Sequence, residues 1–208
     1  MNLFQGNAGK VLKLTGKSIV ILFILFSPVR ICSQELLGFL NNATPSLTLS
    51  TNLLYDASTS LNVGLEFKMA KALTIKLPVT YNPWTFGDNR KIKMLYGQPE
   101  IRWWYCEPFF GHFIGLHGHY GIFNVGQVGL GNMKNYRYEG VLYGGGLSYG
   151  YDFYLSPLWM LEATVGVGYA QMTYKRYNCE TCGSLIGEEV WDYMGLTNIG
   201  LSIIYILK

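Results

Sequence analysis

The chain has 208 residues, 50% of them hydrophobic, 15% aromatic and only 14% charged, which is typical of one domain with an unusually high apolar content. The formal net charge of +3 is concentrated in residues 1–33, which hold four basic residues and no acidic one, whereas the remainder has 12 basic and 13 acidic residues. Since no basic stripe remains outside that segment, the composition excludes a nucleic-acid partner.

The N-terminal segment, residues 1–33, has the parts of a secretory signal peptide. Three lysines precede the apolar run Ile19–Phe26, which is shorter than the ~20 residues of a membrane-spanning helix. We predict cleavage before Gln34, with residues 34–45 as a periplasmic N-terminal segment. A lipid anchor on Cys32 is the less favoured alternative, because the residues before it lack small side chains.

Eight later segments alternate apolar and polar side chains with period two, which predicts β-strands. The connections between them alternate between short turns and longer loops, of which the longer ones fall near 56–60, 83–91, 125–136 and 175–192. Pro78 lies inside the third segment and predicts a bulge there. The predicted strands are Leu47–Tyr55, Asn62–Met69, Leu73–Tyr81, Met94–Cys106, Phe113–Phe123, Tyr138–Tyr154, Trp159–Tyr169 and Asn198–Leu207.

The two faces of these strands predict an inverted polarity. One face is apolar and aromatic, and the other is small or polar, as in Tyr138–Tyr154, where Tyr143 and Leu147 oppose Gly144 and Gly146. A soluble barrel needs an apolar interior, whereas a membrane barrel turns its apolar face to lipid. We therefore predict an all-β fold, an eight-stranded antiparallel up-and-down transmembrane β-barrel over residues 46–208, located in the outer membrane with lipid as its neighbour.

The inward face carries the charged residues of the predicted strands. Eight strands enclose only enough room for side chains, so inward acids and bases must pair in a plugged lumen. Glu66 and Lys68 are expected to pack against the glycines of the sixth strand. The predicted polar network of the lumen comprises Glu66, Lys68, Lys76, Glu100, Arg102, His117, His119, Asp152 and Glu162.

His117 and His119 are the residues closest to a metal-site pattern. They lie two apart on one strand face, so both rings enter the lumen with Glu100, Asp152 or Glu162 as further donors. Nothing specifies a third ligand, which favours two histidines in a polar network, and we predict no metal and no cofactor. None of the three histidines falls in an outer loop, so an enzyme at the rim lacks its base, and we predict no catalytic residues.

Two further features lie outside the lumen. Cys179 and Cys182 fit a local disulfide in an exported loop, although a metal site or free thiols stay open. Cys106 ends the fourth predicted strand at the opposite end and is too far away to bond to either of them. Trp84 and Phe86 follow the third strand and are predicted to anchor the chain as interface aromatics, with ligand stacking as the alternative.

Several segments carry a resemblance to a known family: Thr51–Asp56, Tyr81–Phe86, Gln98–Arg102, Tyr136–Gly140, the glycine-rich sixth strand and the Cys179/Cys182 pair. On these residues the chain resembles a functionally uncharacterised family of small bacterial outer-membrane β-barrels that are often encoded near fimbrial subunits. The resemblance covers nearly all of the mature chain. It implies surface or fimbrial proteins as partners through genomic neighbourhood alone, and it implies no catalytic residues.

These observations lead to two hypotheses about function. The first is a non-enzymatic barrel that acts as a surface scaffold, adhesion or assembly partner through its extracellular loops. The alternative is a narrow conduit or small-ligand-binding barrel that uses the polar lumen around Glu100, Arg102, His117 and His119.

Overall fold

The structure, a computed structural model, describes residues 45–85, 91–126, 136–178 and 183–207. The predicted signal peptide and residues 34–44 lie outside the described residues. The described parts form nine antiparallel strands and one short helix, and that helix is too short to cross a membrane. In chain order they are β1 (Leu47–Asn52), α1 (Leu53–Ala57), β2 (Leu61–Ala70), β3 (Leu73–Thr85), β4 (Lys91–Gly97), β5 (Glu100–Trp104), β6 (Gly111–Gly126), β7 (Tyr136–Ser156), β8 (Trp159–Asn178) and β9 (Leu185–Leu207).

All nine strands belong to one sheet that closes in a ring. Strands that are consecutive in the chain pair with each other, except that β4 and β5 each pair with β3 and β6, and the ring is completed where β1 pairs with β9 over six register pairs, from Leu47 opposite Leu207 to Asn52 opposite Ser202. The turns that follow β2, β5 and β7 lie at the end of the ring where β1 begins and β9 ends, here called the short-turn end. The opposite end is called the loop end. The prediction of an all-β antiparallel fold is confirmed.

The predicted number of eight strands is wrong, because the predicted strand Met94–Cys106 is divided into β4 and β5 at Gln98–Pro99. A proline has no N–H with which to extend a ladder. On one side β3 pairs with β4 through Val79–Thr85 and with β5 through Leu73–Lys76, and β6 covers both on the other side. The nine described strands therefore occupy eight positions around the ring.

The bulge predicted at Pro78 is absent from the pairing of β2 with β3. Gly64 lies opposite Pro78 in register, and the register shift of this pair falls between Lys68 and Ala70 instead. On the other side of β3, the carbonyl of Pro78 accepts a hydrogen bond from the N–H of Gln98 at 3.2 Å. The sheet is therefore irregular beside Pro78 on the side of β3 that faces β4 and β5, where these two strands are separated.

The first strand also ends earlier than predicted, at Asn52, where α1 begins. The side-chain oxygen of Asn52 accepts from the N–H of Leu54 at 3.1 Å, which caps the helix. The same oxygen accepts from the N–H of Leu201 at 3.3 Å, and the amide group donates to the carbonyl of Ile199 at 3.4 Å. The side chain of Asn52 therefore caps α1 and bonds the backbone of β9 at the point where β1 ends.

The prediction of a long loop over residues 175–192 is also wrong, because β8 continues to Asn178 and β9 begins at Leu185. The outward face of this part of β9 carries Glu188 and Asp192, so the apolar–polar alternation is lost although the backbone is extended. Two register shifts, between Gly166 and Val167 and between Arg176 and Tyr177, obscure the period further.

Candidate functional site

The distribution of polar and apolar side chains is inverted relative to a soluble domain. In the described residues, 38 large hydrophobic side chains are exposed, whereas six hydrophobic and 20 polar or charged residues are buried. The alternation along each strand produces this result, because residues of one parity face the ring interior and those of the other parity face outward. The interior is therefore the polar face and the candidate site.

An apolar plug closes the interior at the short-turn end. Its ring contacts include Trp104 with Phe113, whose centroids lie 4.9 Å apart, and Trp104 with Phe109 at 6.1 Å. Phe109 comes from the turn between β5 and β6 and has φ of 67°, a left-handed backbone that folds its ring inward under the sheet. The plug consists of Trp104, Phe109, Phe113, Met160 and Ile204, all at most 3% exposed.

A charge network lies on top of this plug, centred on Arg102. The guanidinium carbon lies 4.1 Å from the ring centroid of Phe113, and the guanidinium nitrogens contact three carboxylates, those of Glu66 (3.0 Å), Glu100 (2.8 Å) and Glu162 (2.6 Å). The ammonium group of Lys76 lies 2.9 Å from both oxygens of Glu162. These five predicted residues, Glu66, Lys76, Glu100, Arg102 and Glu162, form the charge network, and each is at most 4% exposed.

Hydroxyl groups occupy the remaining acceptor positions of the carboxylates. Thr74 donates to Glu66, Ser148 to Glu100 and Thr164 to Glu162, and the indole N–H of Trp104 donates to the hydroxyl of Thr74 at 2.9 Å. Sequence reasoning did not single out these three hydroxyl residues. Their inward parity is the signal that could have found them, because a buried carboxylate needs donors wherever it is not ion-paired.

Asp152 lies beside the network and differs from its members. It stands opposite Glu162 in register and is fully buried, yet neither of its carboxyl oxygens has a hydrogen-bond partner among the described residues. Lys68 lies further toward the short-turn end, opposite Thr74 in register and half-buried. Of the predicted charged residues, five are thus brought into direct contact, and Asp152 adjoins them without bonding.

The two inward histidines lie toward the loop end from the network. The rings of His117 and His119 are nearly parallel with centroids 5.9 Å apart, and the Nε2 of His117 is 3.0 Å from the hydroxyl of Thr197. Tyr96 lies beside His119 with ring centroids 6.1 Å apart. Within the described ranges no three His, Cys, Asp or Glu side chains are grouped as metal ligands.

Two glycines of β7, Gly144 and Gly150, make room for side chains from β6, and not for Glu66 as predicted. A Cβ on Gly150 would meet the ring of Phe113, and one on Gly144 would meet the Nε2 of His119 at 2.7 Å. Glu66 instead bonds to Thr74 and Arg102. Side chains of the adjacent strand β6 therefore cover these glycines, whereas Glu66 and Arg102 bond to each other in the centre of the ring.

Two cavities accompany the interior. One of about 40 Å³ is lined by Tyr55 of α1, Tyr96, Asn198 and the loop-end side of the charge network, and this volume is large enough for a few water molecules. A second cavity of about 640 Å³ lies at the loop end, where Met94, Phe123, Tyr174 and Lys175 contribute to its walls. Among the described residues, the charge network thus lies between the apolar plug and the larger cavity at the loop end.

The outward face has aromatic residues at two levels with aliphatic residues between them. At the short-turn end Trp103 contacts Tyr105, and Trp159 contacts Tyr205 at a centroid distance of 4.9 Å. In this level at the short-turn end, here called the lower level, the Nδ1 of His112 lies 2.6 Å from the hydroxyl of Tyr149. The upper level lies nearer the loop end and contains the exposed rings of Tyr81, Tyr120, Tyr143 and Tyr169.

The remaining predicted residues lie near the two ends of the ring. Trp84 is exposed at the end of β3, where its indole N–H donates to the carbonyl of Thr59 at 2.7 Å. Phe86, Cys179 and Cys182 lie outside the described residues. Cys106 is disulfide-bonded.

Comparison with known proteins gives one result. A family model described as "Protein of unknown function (DUF3575)" matches residues 20–207. No curated protein and no solved structure matches the chain.

Proposed function

Because the chain belongs to the DUF3575 family of proteins of unknown function, we propose a function from its own geometry: a non-enzymatic outer-membrane β-barrel that acts as a surface scaffold, in adhesion or assembly, through its loop end. The observation that carries this proposal is the inverted polarity, with 38 exposed large hydrophobic side chains around a buried charge network. Contact of these side chains with water would be energetically unfavourable, whereas contact with the hydrocarbon of a membrane is favourable.

The spacing of the two aromatic levels supports a membrane-spanning role. Trp159 and Tyr169 belong to the lower and upper levels of β8 and are ten residues apart. Ten residues of strand extend about 33 Å, which at a tilt of about 35–45° gives a height of about 23–27 Å. This height matches the ~25 Å apolar band of outer-membrane barrels, which aromatic girdles delimit on both sides.

The filled interior supports a scaffold over a conduit. Arg102 and the three carboxylates around it are buried, and the plug of Trp104 and its neighbours lies beneath them. Opening a transmembrane path would require breaking several charge-assisted hydrogen bonds between buried side chains. The cavity beside Glu100 and Arg102, about 40 Å³, is also too small for a ligand larger than a few waters.

The loop end supports contact with a partner. β7, β8 and β9 continue by about seven to nine residues beyond Tyr143, Tyr169 and Asp192, and so reach beyond the upper aromatic level. Their extension carries both charged and aromatic side chains, among them Arg176, paired with Glu189 at 3.2 Å. Such mixed, exposed surfaces on a rigid support are where binding residues concentrate.

The test combines localisation with conductance. Inner and outer membranes of cells expressing the full chain are separated on a density gradient, and the purified protein is placed in planar bilayers. We expect the protein in the outer-membrane fraction without a stable conductance of porin size. Recovery in a soluble fraction would overturn the membrane assignment, and a stable open channel in the wild-type protein would favour the conduit.

A matched variant makes the conductance measurement interpretable. Arg102→Ser together with Trp104→Ala, the first variant, removes the side chains at the centres of the charge network and of the apolar plug, whereas Lys175→Ser removes a cation at the loop end. We expect current only through the first variant. Current of equal size through the wild type and both variants would contradict a plugged interior.

A further inference from the structure

Among the described strands, one long stretch of β9 is paired on one side only. β8 pairs with β9 from Trp159 opposite Tyr205 to Tyr177 opposite Leu185, whereas β1 reaches only from Leu207 to Ser202. The side chain of Asn52 satisfies Leu201 and Ile199 at the point where β1 ends. From there to Leu185, no other strand of the described residues lies on this side of β9.

The register identifies which backbone groups of β9 face the unpaired side. Both backbone groups of a residue in an antiparallel ladder point to the same neighbour, and the direction alternates along the strand. The N–H of Ile206 donates toward β8, to Leu158 at 2.9 Å, and the N–H of Leu201 donates the other way, to Asn52. The register shift opposite Gly166 and Val167 then reverses the parity.

Beyond this shift the even-numbered residues present their N–H and C=O groups to the unpaired side. We call these residues the free edge: Glu188, Val190, Asp192, Met194 and Leu196.

The side chains of the free edge are exposed and follow a simple pattern. Met194 is 89% and Val190 61% exposed, and the acidic residues Glu188 and Asp192 alternate with them on the same face. Unpaired backbone groups beside exposed apolar side chains form a template for another strand. The free edge therefore offers backbone bonds for affinity and an acidic–apolar pattern for selection.

The charges argue against a second copy of this chain as the occupant. Residues 185–197 contain the three acidic residues Glu188, Glu189 and Asp192 and no basic one. Pairing of two free edges would place carboxylates near carboxylates, and like charges across a strand pair are destabilising. A basic segment has the opposite effect at the same positions.

We propose that the free edge of β9 binds an extended segment of another protein by strand addition, a segment in which basic and apolar residues alternate along one face. The basic residues lie opposite Glu188 and Asp192, and the apolar residues lie opposite Val190 and Met194. This inference rests on the proposed function in one respect only, because it names the chemistry of the partner that the loop end would bind. The backbone hydrogen bonds between β9 and the added strand require neither lipid nor a particular membrane.

A synthetic peptide tests the proposal. The probe is a fluorescent twelve-residue peptide with lysine and valine alternating on one face and threonine on the other, titrated against the full chain in detergent micelles by fluorescence anisotropy. Two control peptides replace every lysine by glutamate or place proline at two central positions. We expect saturable binding of the basic peptide and binding weaker by about tenfold or more for both controls.

Proline variants of the protein locate the binding. Val190→Pro and Met194→Pro each remove an N–H from the free edge and leave the bonds to β8 intact, because proline is tolerated where its missing donor faces away from the ladder. Val190→Thr is the matched control, since it keeps the N–H and a β-branched side chain. We expect the proline variants to lose about tenfold in affinity and Val190→Thr to bind like the wild type. Far-ultraviolet circular dichroism verifies that the variants keep the sheet.

Three outcomes overturn the inference: no saturable binding, equal binding of the proline-containing peptide, or binding that folded proline variants retain. A photo-crosslinking residue at Met194 adds a fourth, because crosslinks to residues 1–44 or 127–135 of the same chain would show that the protein covers this edge itself. The proposed function fails separately, in membrane fractionation and conductance. Those assays do not depend on the peptide, and peptide binding in micelles does not depend on them.

Discussion

Replacing Arg102 by methionine, which keeps most of the side-chain volume and removes the charge, tests whether the charge network holds the ring together. Arg102 donates four hydrogen bonds to Glu66, Glu100 and Glu162, and all four side chains are at most 3% exposed. In the variant Lys76 still neutralises Glu162, but the other two carboxylates lose their cation. Removing one partner of a buried ion pair costs about 3–5 kcal/mol, a large part of the roughly 5–15 kcal/mol by which a domain is stable.

The assay is urea unfolding of the protein in micelles, followed by tryptophan fluorescence. Arg137→Met is the matched control, because Arg137 is partly exposed, its guanidinium lies 3.7 Å from Glu139, and such a pair contributes about 0–1 kcal/mol. Adding Glu66→Gln and Glu100→Gln to Arg102→Met should recover most of the loss, since neutral amides do not need the cation. An Arg102→Met variant within about 1 kcal/mol of the wild type would refute the reasoning.

Three further predictions use the same unfolding assay. Trp104→Ala empties the centre of the plug and removes the bond to Thr74, so it should cost about 3–5 kcal/mol, and a loss below about 1 kcal/mol would contradict a packed plug. Gly144→Ala should destabilise the protein or prevent folding, because its Cβ would meet the carbonyl oxygen of Tyr169. Gly187→Ala is the control and should be nearly neutral, because the added Cβ has nothing within 4 Å. Similar losses of stability in the two variants would contradict the described packing around Gly144. Asp152→Asn should leave stability unchanged or raise it by about 1 kcal/mol, because it removes an unbonded buried carboxylate opposite Glu162, and a loss above about 2 kcal/mol would mean that the carboxylate is paired.

The period-two pattern contained most of the fold and of the charge network. Glu66, Lys76, Glu100, Arg102 and Glu162 share the inward parity of their strands, and inward charges in a narrow ring have to meet. What the pattern lacks is the level of each residue, which depends on how strands are staggered around the ring. Parity therefore predicts Asp152 as a member of the network but does not show that its carboxyl oxygens lack a hydrogen-bond partner among the described residues.

Local deviations from regular strand were harder to predict. Pro99 divides one predicted strand in two, and the cap of Asn52 replaces three predicted strand residues by the start of α1. Both depend on hydrogen bonds to other strands, from Gln98 to Pro78 and from Leu201 to Asn52, which a local window does not contain. The packing of Phe113 over Gly150 was missed for a related reason, because it follows from the neighbour in register and not from the opposite wall.

The closing pair of the ring has a consequence for how the protein folds. Every strand pairing except that of β1 with β9 joins segments that are close in the chain, so hairpins such as β7–β8 can form early and independently. Closure brings Leu47 to Leu207 and needs most of the chain in place, which makes it entropically the most costly contact and the last we expect to form. The side chain of Asn52, at the end of β1, bonds β9 at this seam, and its replacement by alanine should slow refolding into micelles more than the same change at Asn62, whose side chain bonds β1 and β3 among the described residues.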